Sequence, residues 1–174
     1  MRTFETVSVA LLISLNMSCV IAAGPGLGRP ATSAEIAAID ISIPPSGEGL
    51  PAGSGNANTG EVVYAQKCAS CHGVEGTGKP ADKLVGGIGS LDSATPAKSV
   101  GSFWPYATTL FDYVRRSMPL NAPMTLTDDE VYAVTAYVLF LNGIVSQQQT
   151  MDAQSLPRVR MPNRNGFVDM SGVR

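Results

Sequence analysis

Apolar residues recur with helical spacing in three stretches of the sequence, and the last of these is the clearest. The segment "LTDDEVYAVTAYVLFLNG", residues 126–143, has a capping-box pair at Thr127 and Glu130 and a C-terminal stop at Asn142 and Gly143. Apolar residues cover most of the circumference between these ends. Such a helix is buried on both sides, so other parts of the fold or a partner must cover both of its faces.

Two further helices are predicted upstream of this one. The first begins near Thr59, with Asn58 or Thr59 as its cap. The second spans residues 103–117, "FWPYATTLFDYVRRS", with Pro105 in its first turn. The three helices together predict an all-α domain over residues 59–143.

Segments rich in Gly, Pro and polar residues flank this domain, at residues 24–58 and 144–174. Both are predicted to be extended arms, yet both carry apolar residues, among them Ile43 and Leu156. We interpret the arms as segments that dock on a partner and become ordered by it. The alternative is that the arms fold back and shield the last helix.

Residues 1–23 are predicted to be a secretory signal peptide, which places the mature protein in the periplasm. A short n-region with Arg2 precedes an apolar run, and small residues follow, so cleavage is expected after Ala22 or Ala23. Cleavage would remove Cys19. The rival interpretation, a lipidated Cys19, fits the residues before it poorly.

Composition and charge argue against several classes of protein. The 174 residues carry a formal net charge of −2 and no basic stripe, which disfavours nucleic-acid binding. After the signal peptide, no uninterrupted apolar run is long enough for a confident membrane span. The chain has three Cys and one His, of which the mature chain is expected to keep two Cys and the His. These are too few for a structural zinc ion, which needs about four such ligands.

The strongest chemical signal is the pair Cys68 and Cys71, followed directly by His72. A disulfide or a redox dithiol stays open for this spacing, but redox dithiols lie in folds that alternate strand and helix, and nothing here alternates. A histidine directly after the second cysteine is what covalent haem attachment requires. We therefore predict one haem c, bound by both thiols, with His72 beneath the iron.

The sixth iron ligand must then be a methionine, a weaker donor or nothing, because the chain has no second histidine. Met118, followed by Pro119 in the loop before the last helix, is preferred over Met124, which lies too close to that helix. Met161 is a more distant candidate. Ligation by Met and His suits electron transfer, whereas an open position suits chemistry on small ligands.

Further residues are candidates for haem contacts. A backbone carbonyl near Pro80 is expected behind His72, as the acceptor for the imidazole Nδ1–H. Trp104 and Tyr106 are candidate hydrogen-bond donors to a haem propionate, and Arg115 or its neighbour is a candidate to neutralise one. The plainer alternatives are a proline that shapes its loop, packed aromatic residues and solvated arginines.

Four segments, together with the C-x-x-C-H motif, resemble a known family. They are "GRPATSAEIAAIDISIPPSGEGLPAGSG", "GSFWPYATTLFDYVRRSMP", "LTDDEVYAVTAYVLFLNGI" and "LPRVRMPNRNGF". The sequence resembles class I c-type cytochromes, and among them the cytochrome subunit of bacterial sulfane (sulfur) dehydrogenase and of related sulfite dehydrogenases. The resemblance covers nearly all of the mature chain. Some of these subunits carry two haem domains, whereas this chain has one C-x-x-C-H motif.

The resemblance implies a class I cytochrome c fold, with Cys68 and Cys71 as attachment sites, His72 as proximal ligand and Met118 as distal ligand. It also implies that a molybdenum-cofactor subunit donates electrons and that a soluble cytochrome c or an oxidase accepts them. The chain is then an electron-transfer subunit and not an enzyme by itself. Two alternatives stay open: a free periplasmic carrier, and a haem enzyme or sensor with an open iron position.

Overall fold

The computed structural model describes residues 27–171. The chain divides into two compact units between Ile39 and Asp40. The predicted signal peptide, residues 1–23, lies outside the described residues together with Cys19.

The first unit contains one short helix, α1, at Ser33–Ile39. Thr32 caps it, because its Oγ1 accepts a hydrogen bond from the Glu35 amide at 3.3 Å while the Glu35 carboxylate accepts from the Thr32 amide at 2.8 Å. Arg29 forms an ion pair with the same carboxylate. A helical turn capped by Thr32 or Ser33 is what the local sequence "TSAEIAAI" predicts.

The regular secondary structure of the second unit is almost wholly helical, as the sequence predicts. Two-residue strands, β1 and β2, form a single antiparallel bridge in which Ser54 faces Asp152. The helices are α2 at Ala57–Lys67, α3 at Ala69–His72, α4 at Val100–Phe103, α5 at Ala107–Ser117 and α6 at Asp128–Leu141, with 3₁₀ turns at Val74–Gly76 and Leu156–Arg158. The strands are β1 at Ser54–Gly55 and β2 at Met151–Asp152.

Helix α6 is the centre of the hydrophobic core, and all residues from Val131 to Leu139 are buried. Its predicted ends are confirmed. The Glu130 amide donates to Thr127 Oγ1 at 3.3 Å, and the Glu130 carboxylate accepts from the Thr127 amide at 2.8 Å. Gly143, with φ of +68°, follows the cap residue Asn142 in the left-handed region that ends many helices.

The predicted cap of the first helix and the predicted continuity of the second are wrong, whereas the predicted end of the second at Ser117 is confirmed. Helix α2 begins at Ala57 and its cap is Asn56, whose side chain accepts from the Thr59 amide at 3.1 Å. The second predicted helix is divided into α4 and α5 by residues 104–106. Proline disfavours helical backbone in the residue before it, and Trp104 accordingly has an extended ψ of 128° ahead of Pro105.

Helices α2 and α6 cross at very short range because a glycine of α2 lies at the crossing. A Cβ atom added at Gly60 would be 1.9 Å from the carbonyl oxygen of Ala133. Further along the same contact, the rings of Tyr64 and Tyr137 lie 5.3 Å apart between centroids. Any side chain at Gly60 would have to push the two helices apart.

Large parts of the two predicted arms pack on the helices. Ile43 and five apolar residues of the C-terminal segment belong to the same buried core as α6; the five are Val145, Met151, Leu156, Val159 and Met161. The bridge between β1 and β2 joins the two segments directly. For residues 40–58 and 144–161 the structure thus has the second of the two arrangements that the sequence leaves open, in which the arms fold back.

Candidate functional site

The two cysteines and the histidine lie on one turn of helix. Cys68 is the residue between α2 and α3, and the amides of Cys71 and His72 both donate to its carbonyl, at 3.1 and 2.9 Å. Residues three and four apart share one helix face, so the three side chains emerge on the same side. Both thiols are free, with Cys68 half-buried and Cys71 exposed.

The electrostatics of this pair differ from those of a redox dithiol. Burial, with a smaller contribution from Cys71, raises the pKa of the Cys68 thiol to about 11. Reactive cysteines of redox C-x-x-C motifs instead have a lowered pKa, because the thiolate is the nucleophile. The Cys68 thiol is therefore protonated, and it lies on the same turn as Cys71 and His72.

A backbone carbonyl holds the His72 imidazole, and it belongs to Asp82. His72 Nδ1 lies 2.8 Å from the Asp82 carbonyl oxygen, so Nδ1–H donates to it and Nε2 is left with its lone pair. The predicted acceptor near Pro80 is thus two residues further along. Pro80 itself is exposed and helps to shape the loop.

Hydrogen bonds to the cysteine–histidine turn keep this loop in place. The Gly78 amide donates to the His72 carbonyl at 2.7 Å, and the Ala81 amide donates to the Cys71 carbonyl at 2.9 Å. These bonds bring the chain back across α3 and deliver the Asp82 carbonyl to the imidazole. The sequence gives no sign of this acceptor, because every residue has a backbone carbonyl.

The three candidate methionines have different environments. Met118 is the cap residue at the C-terminal end of α5, is half-buried, and donates its amide to Val114 at 3.0 Å. Met124 is 65% exposed, and Met161 is packed in the hydrophobic core at 3% exposure. Met118 is therefore the candidate whose thioether is neither fully solvated nor enclosed by the core.

The predicted propionate contacts are mostly engaged with other groups. Trp104 packs edge-on against Tyr113, with ring centroids 5.7 Å apart, and the Arg164 guanidinium lies 4.4 Å from the ring centroid of Tyr106. Arg115 Nε is 3.3 Å from a carboxylate oxygen of Asp128. These contacts agree with the plainer alternatives of packed aromatic residues and a paired arginine, and propionate binding by these residues stays a prediction.

Asn142 is a residue whose role the sequence does not reveal. Its side-chain nitrogen donates to the carbonyls of Leu84 at 3.1 Å and Val138 at 2.9 Å, and its oxygen accepts from the Gly86 amide at 3.1 Å. It therefore ties the loop that carries Asp82 to the end of α6. The sequence marked it only as a helix stop.

The Tyr64 side chain makes a further hydrogen bond next to the cysteine–histidine turn. Its hydroxyl donates to the Gly73 carbonyl at 2.9 Å, directly after His72. Burial, with a smaller contribution from Cys68, raises the pKa of Tyr64 to about 12, so the hydroxyl stays protonated and remains a donor.

These residues fit a covalently attached haem. Two free thiols and an imidazole nitrogen lie on one helix turn, and a half-buried thioether ends another helix. Several apolar side chains that pack against the core are only partly buried, and so are available to a large apolar macrocycle; they include Val63, Leu84, Trp104, Val114 and Leu126. The donor set of two thiols, one imidazole and one thioether is that of haem c with Met and His ligands.

The helical fold and this donor set define a c-type cytochrome of class I. The chain belongs to the cytochrome c family, whose sequence model matches residues 57–142. One chain in the crystal structure of the sulfane dehydrogenase SoxCD from Paracoccus pantotrophus is similar to this chain, with 42% sequence identity and a TM-score of 0.77. That match covers 86% of this chain and 75% of the other. No curated protein sequence matches significantly.

Haem c and electron transfer follow from membership of this family. Within residues 27–171, the helices are all too short or too polar to span a bilayer.

Proposed function

We propose that this chain is a monohaem cytochrome c that accepts electrons from a molybdenum-cofactor dehydrogenase of sulfur-compound oxidation. The substrate of that dehydrogenase is sulfite or sulfane sulfur, and the cytochrome passes the electrons to the respiratory chain through a soluble cytochrome c or an oxidase. The observation that supports this most strongly is the 42% identity to a chain of a sulfane dehydrogenase, across 86% of this chain.

The geometry of the cysteine–histidine turn supports the proposed roles of the site residues. Cys68 and Cys71 supply the thioether sulfurs, His72 presents Nε2 to the iron, and the Asp82 carbonyl fixes the imidazole tautomer by accepting the Nδ1–H bond. Met118 supplies the second axial ligand. The bound haem exchanges one electron, and the chain has no further histidine or second cofactor motif for chemistry of its own.

Copurification from the native host tests the partner. The full chain, tagged and expressed at its natural level, is expected to carry molybdenum in fixed proportion to its iron, and sulfite or a sulfane-sulfur donor is expected to reduce its haem in that complex. Iron without molybdenum, together with no reduction by either compound, would remove the proposed partner.

A free periplasmic carrier is the second candidate function. It is favoured by the burial of Ile43, Met151 and Leu156, since segments that cover their own core are not wholly reserved for a partner. A free carrier is expected to purify alone and to be reduced by unrelated dehydrogenases at similar rates. A dedicated subunit would be reduced far faster by one of them.

Export is part of the same proposal. The mature protein is expected in the periplasmic fraction with an N-terminus directly after Ala22 or Ala23. Edman sequencing or intact mass measurement of the purified protein tests this, and a mass that includes Cys19 would contradict it.

A further inference from the structure

Residues 157–166 form a concave, cationic surface in the C-terminal segment. They line a cavity of about 760 Å³, and its wall contains Arg158, Arg160 and Arg164 and no acidic residue. The chain as a whole carries a formal net charge of −2, so this positively charged surface differs in sign from the chain's net charge. A cavity of this volume is large enough for several side chains.

Buried and exposed residues alternate along this part of the surface. Val159 and Met161 are buried in the core, at 7% and 3% exposure, while Arg158 and Arg160 are exposed. Arg158 ends the 3₁₀ turn at Leu156–Arg158 and Val159 follows in extended backbone, so the apolar residues face the core while the arginines face solvent. Packing of the inner residues therefore holds the arginine backbones in fixed positions.

The far end of the cavity is anchored to the end of α4 and to Tyr106, the cap residue of α5. Asn163 Nδ2 donates to the Phe103 carbonyl at 2.7 Å, and the Arg164 guanidinium stacks at 4.4 Å from the ring centroid of Tyr106. A cation over an aromatic ring keeps its charge while its orientation is restrained. These contacts restrain Asn163 and the guanidinium of Arg164 at this end of the cavity.

The three cavity arginines form no salt bridge within residues 27–171. The ion pairs found there use Arg29, Arg115 and Arg116, and the side chains of the three cavity arginines make no hydrogen bond in that part of the chain. The carboxylate of Asp152, which is close enough to be influenced by Arg158, already accepts hydrogen bonds from Ser155 and Gln154. The guanidinium donors are thus available to an outside acceptor.

Apolar residues continue the surface directly after the cavity. Phe167, Val168 and Met170 are all more than half exposed, and Phe167 is held edge-on against Phe103 with ring centroids 5.2 Å apart. Arginine, aromatic residues and methionine are the types enriched in protein interfaces. A free inorganic anion would use the arginines alone, so the adjoining apolar residues favour a protein occupant.

We propose that the cavity of residues 157–166 is the docking site for a carboxylate-bearing segment of the electron-donating dehydrogenase. The inference rests on the proposed function for the identity of that partner. Acidic side chains enter the cavity and pair with the three arginines, while apolar residues beside them cover Phe167 and Val168. The stack of Arg164 on Tyr106 then brings the partner to the N-terminal end of α5.

Three full-length, haem-loaded variants test this surface. R158Q/R160Q removes two charges whose side chains point away from the core, and R158K/R160K retains the charges. K67Q/K83Q is the matched control, because it removes the same charge from two exposed lysines elsewhere. Unchanged visible spectra and melting temperatures show that all three fold and hold haem.

The first measurement is the affinity for the molybdenum dehydrogenase that copurifies with wild type. R158Q/R160Q is expected to weaken it about tenfold or more and to flatten its dependence on salt, while R158K/R160K and K67Q/K83Q stay near wild type. Equal affinity of all variants would overturn the docking site and leave the proposed function standing.

The second measurement separates the two proposals if wild type brings down no molybdenum. Binding of a fluorescent oligoglutamate peptide is followed by anisotropy for the same proteins. Selective loss in R158Q/R160Q would support a site for acidic segments and remove only the named partner. Equal binding to all variants would overturn the inference, and so would displacement of the peptide by sulfate or phosphate at low concentration, since that identifies a small-anion site.

Discussion

The two sides of this cytochrome are built from the same kinds of residue but are stabilised differently. On one side, α6 and the C-terminal segment bury Tyr132, Leu139, Met151 and Leu156 completely. On the side of the predicted haem, apolar residues remain in contact with solvent, and Leu120 is 81% exposed. The first side is a core that the chain completes by itself. The second needs something further to cover it.

Hydrogen bonds replace packing in the loop after His72. Gly78, Ala81 and Leu84 donate their amides to carbonyls of His72, Cys71 and Gly76, at 2.7 to 2.9 Å. Such bonds define a path for the chain but contribute little net stability each, about 1 kcal/mol. We therefore expect the haem to supply much of the stability of this side, and the four predictions below test that division.

Removal of both attachment sites is expected to have the largest effect. In Cys68→Ala/Cys71→Ala, haem should extract completely into acid acetone, whereas it stays with the wild-type protein. Amide hydrogen exchange should then rise most in residues 73–99 and 118–127, with α6 the last segment to lose protection. Uniform loss of protection would show that both sides depend equally on haem.

Replacement of the distal ligand should change the spectrum and leave the fold. Met118→Ala is expected to abolish the weak sulfur-to-iron charge-transfer band and to permit binding of cyanide or imidazole, because the sixth position opens. Met124→Ala is the control, since Met124 is largely exposed. Loss of the band in the control variant alone would assign the ligand to Met124, and its absence from wild type would favour a haem enzyme or sensor.

Shortening a buried side chain on the core side should lower stability and leave the visible spectrum unchanged. Leu156→Ala is expected to lower the free energy of unfolding by about 2–5 kcal/mol, because the removed side chain is fully buried, and to leave the visible spectrum unchanged. Leu27→Ala, at a position that is 88% exposed, should change stability by less than about 0.5 kcal/mol. Denaturant unfolding measures both, and similar small values would mean that the C-terminal segment is not part of the core.

The smallest expected effect concerns Asp112, whose carboxylate links α5 to the N-terminal segment by accepting a hydrogen bond from the Ile43 amide. Burial of Asp112 would raise its pKa, but the hydrogen bonds from Arg116 and the Ile43 amide, with the charges of Arg116 and Arg115, outweigh burial and lower the pKa. A lowered carboxyl pKa adds stability above its unfolded value, about 3.9, and that stability is lost as the pH falls through the folded pKa.

Asp112→Asn is therefore expected to cost about 1 kcal/mol at neutral pH and progressively less below pH about 4. Urea unfolding at several pH values measures the difference from wild type. A difference that stays constant down to pH about 3 would show that the carboxylate charge is not what this link requires.

Local chemistry explains which features were predictable from the sequence. The ends of α6 depend on Thr127, Glu130 and Gly143, each of which acts within one turn, and the prediction there is confirmed. The division between α4 and α5 was missed because Pro105 was assigned to a first turn, although its restriction of Trp104 is equally local. The cysteine–histidine turn was predictable for the same reason as α6.

The features that could not be predicted from the sequence depend on contacts between distant parts of the chain. The bridge from Ser54 to Asp152 and the burial of Ile43 join segments far apart in sequence, and neither segment has a motif that names its partner. The acceptor for His72 is a backbone carbonyl, which no side chain marks. The sequence likewise predicts only a helix stop at Asn142. Its hydrogen bonds to Leu84 and Gly86 form only when the folded chain brings that loop to the end of α6.

The close crossing at Gly60 couples the angle between α2 and α6 to the position of the cysteine–histidine turn. A helix rises about 1.5 Å per residue, so the end of α2 at Lys67 lies about 10 Å beyond the point where Gly60 meets Ala133. A change of about 10° in the crossing angle would displace that end, and the thiol of Cys68 after it, by about 2 Å. Gly60 is thus the point about which α2 would rotate. A bulkier residue there would move Cys68 and His72 relative to Met118, and we would expect it to weaken the bond proposed between the Met118 sulfur and the haem iron.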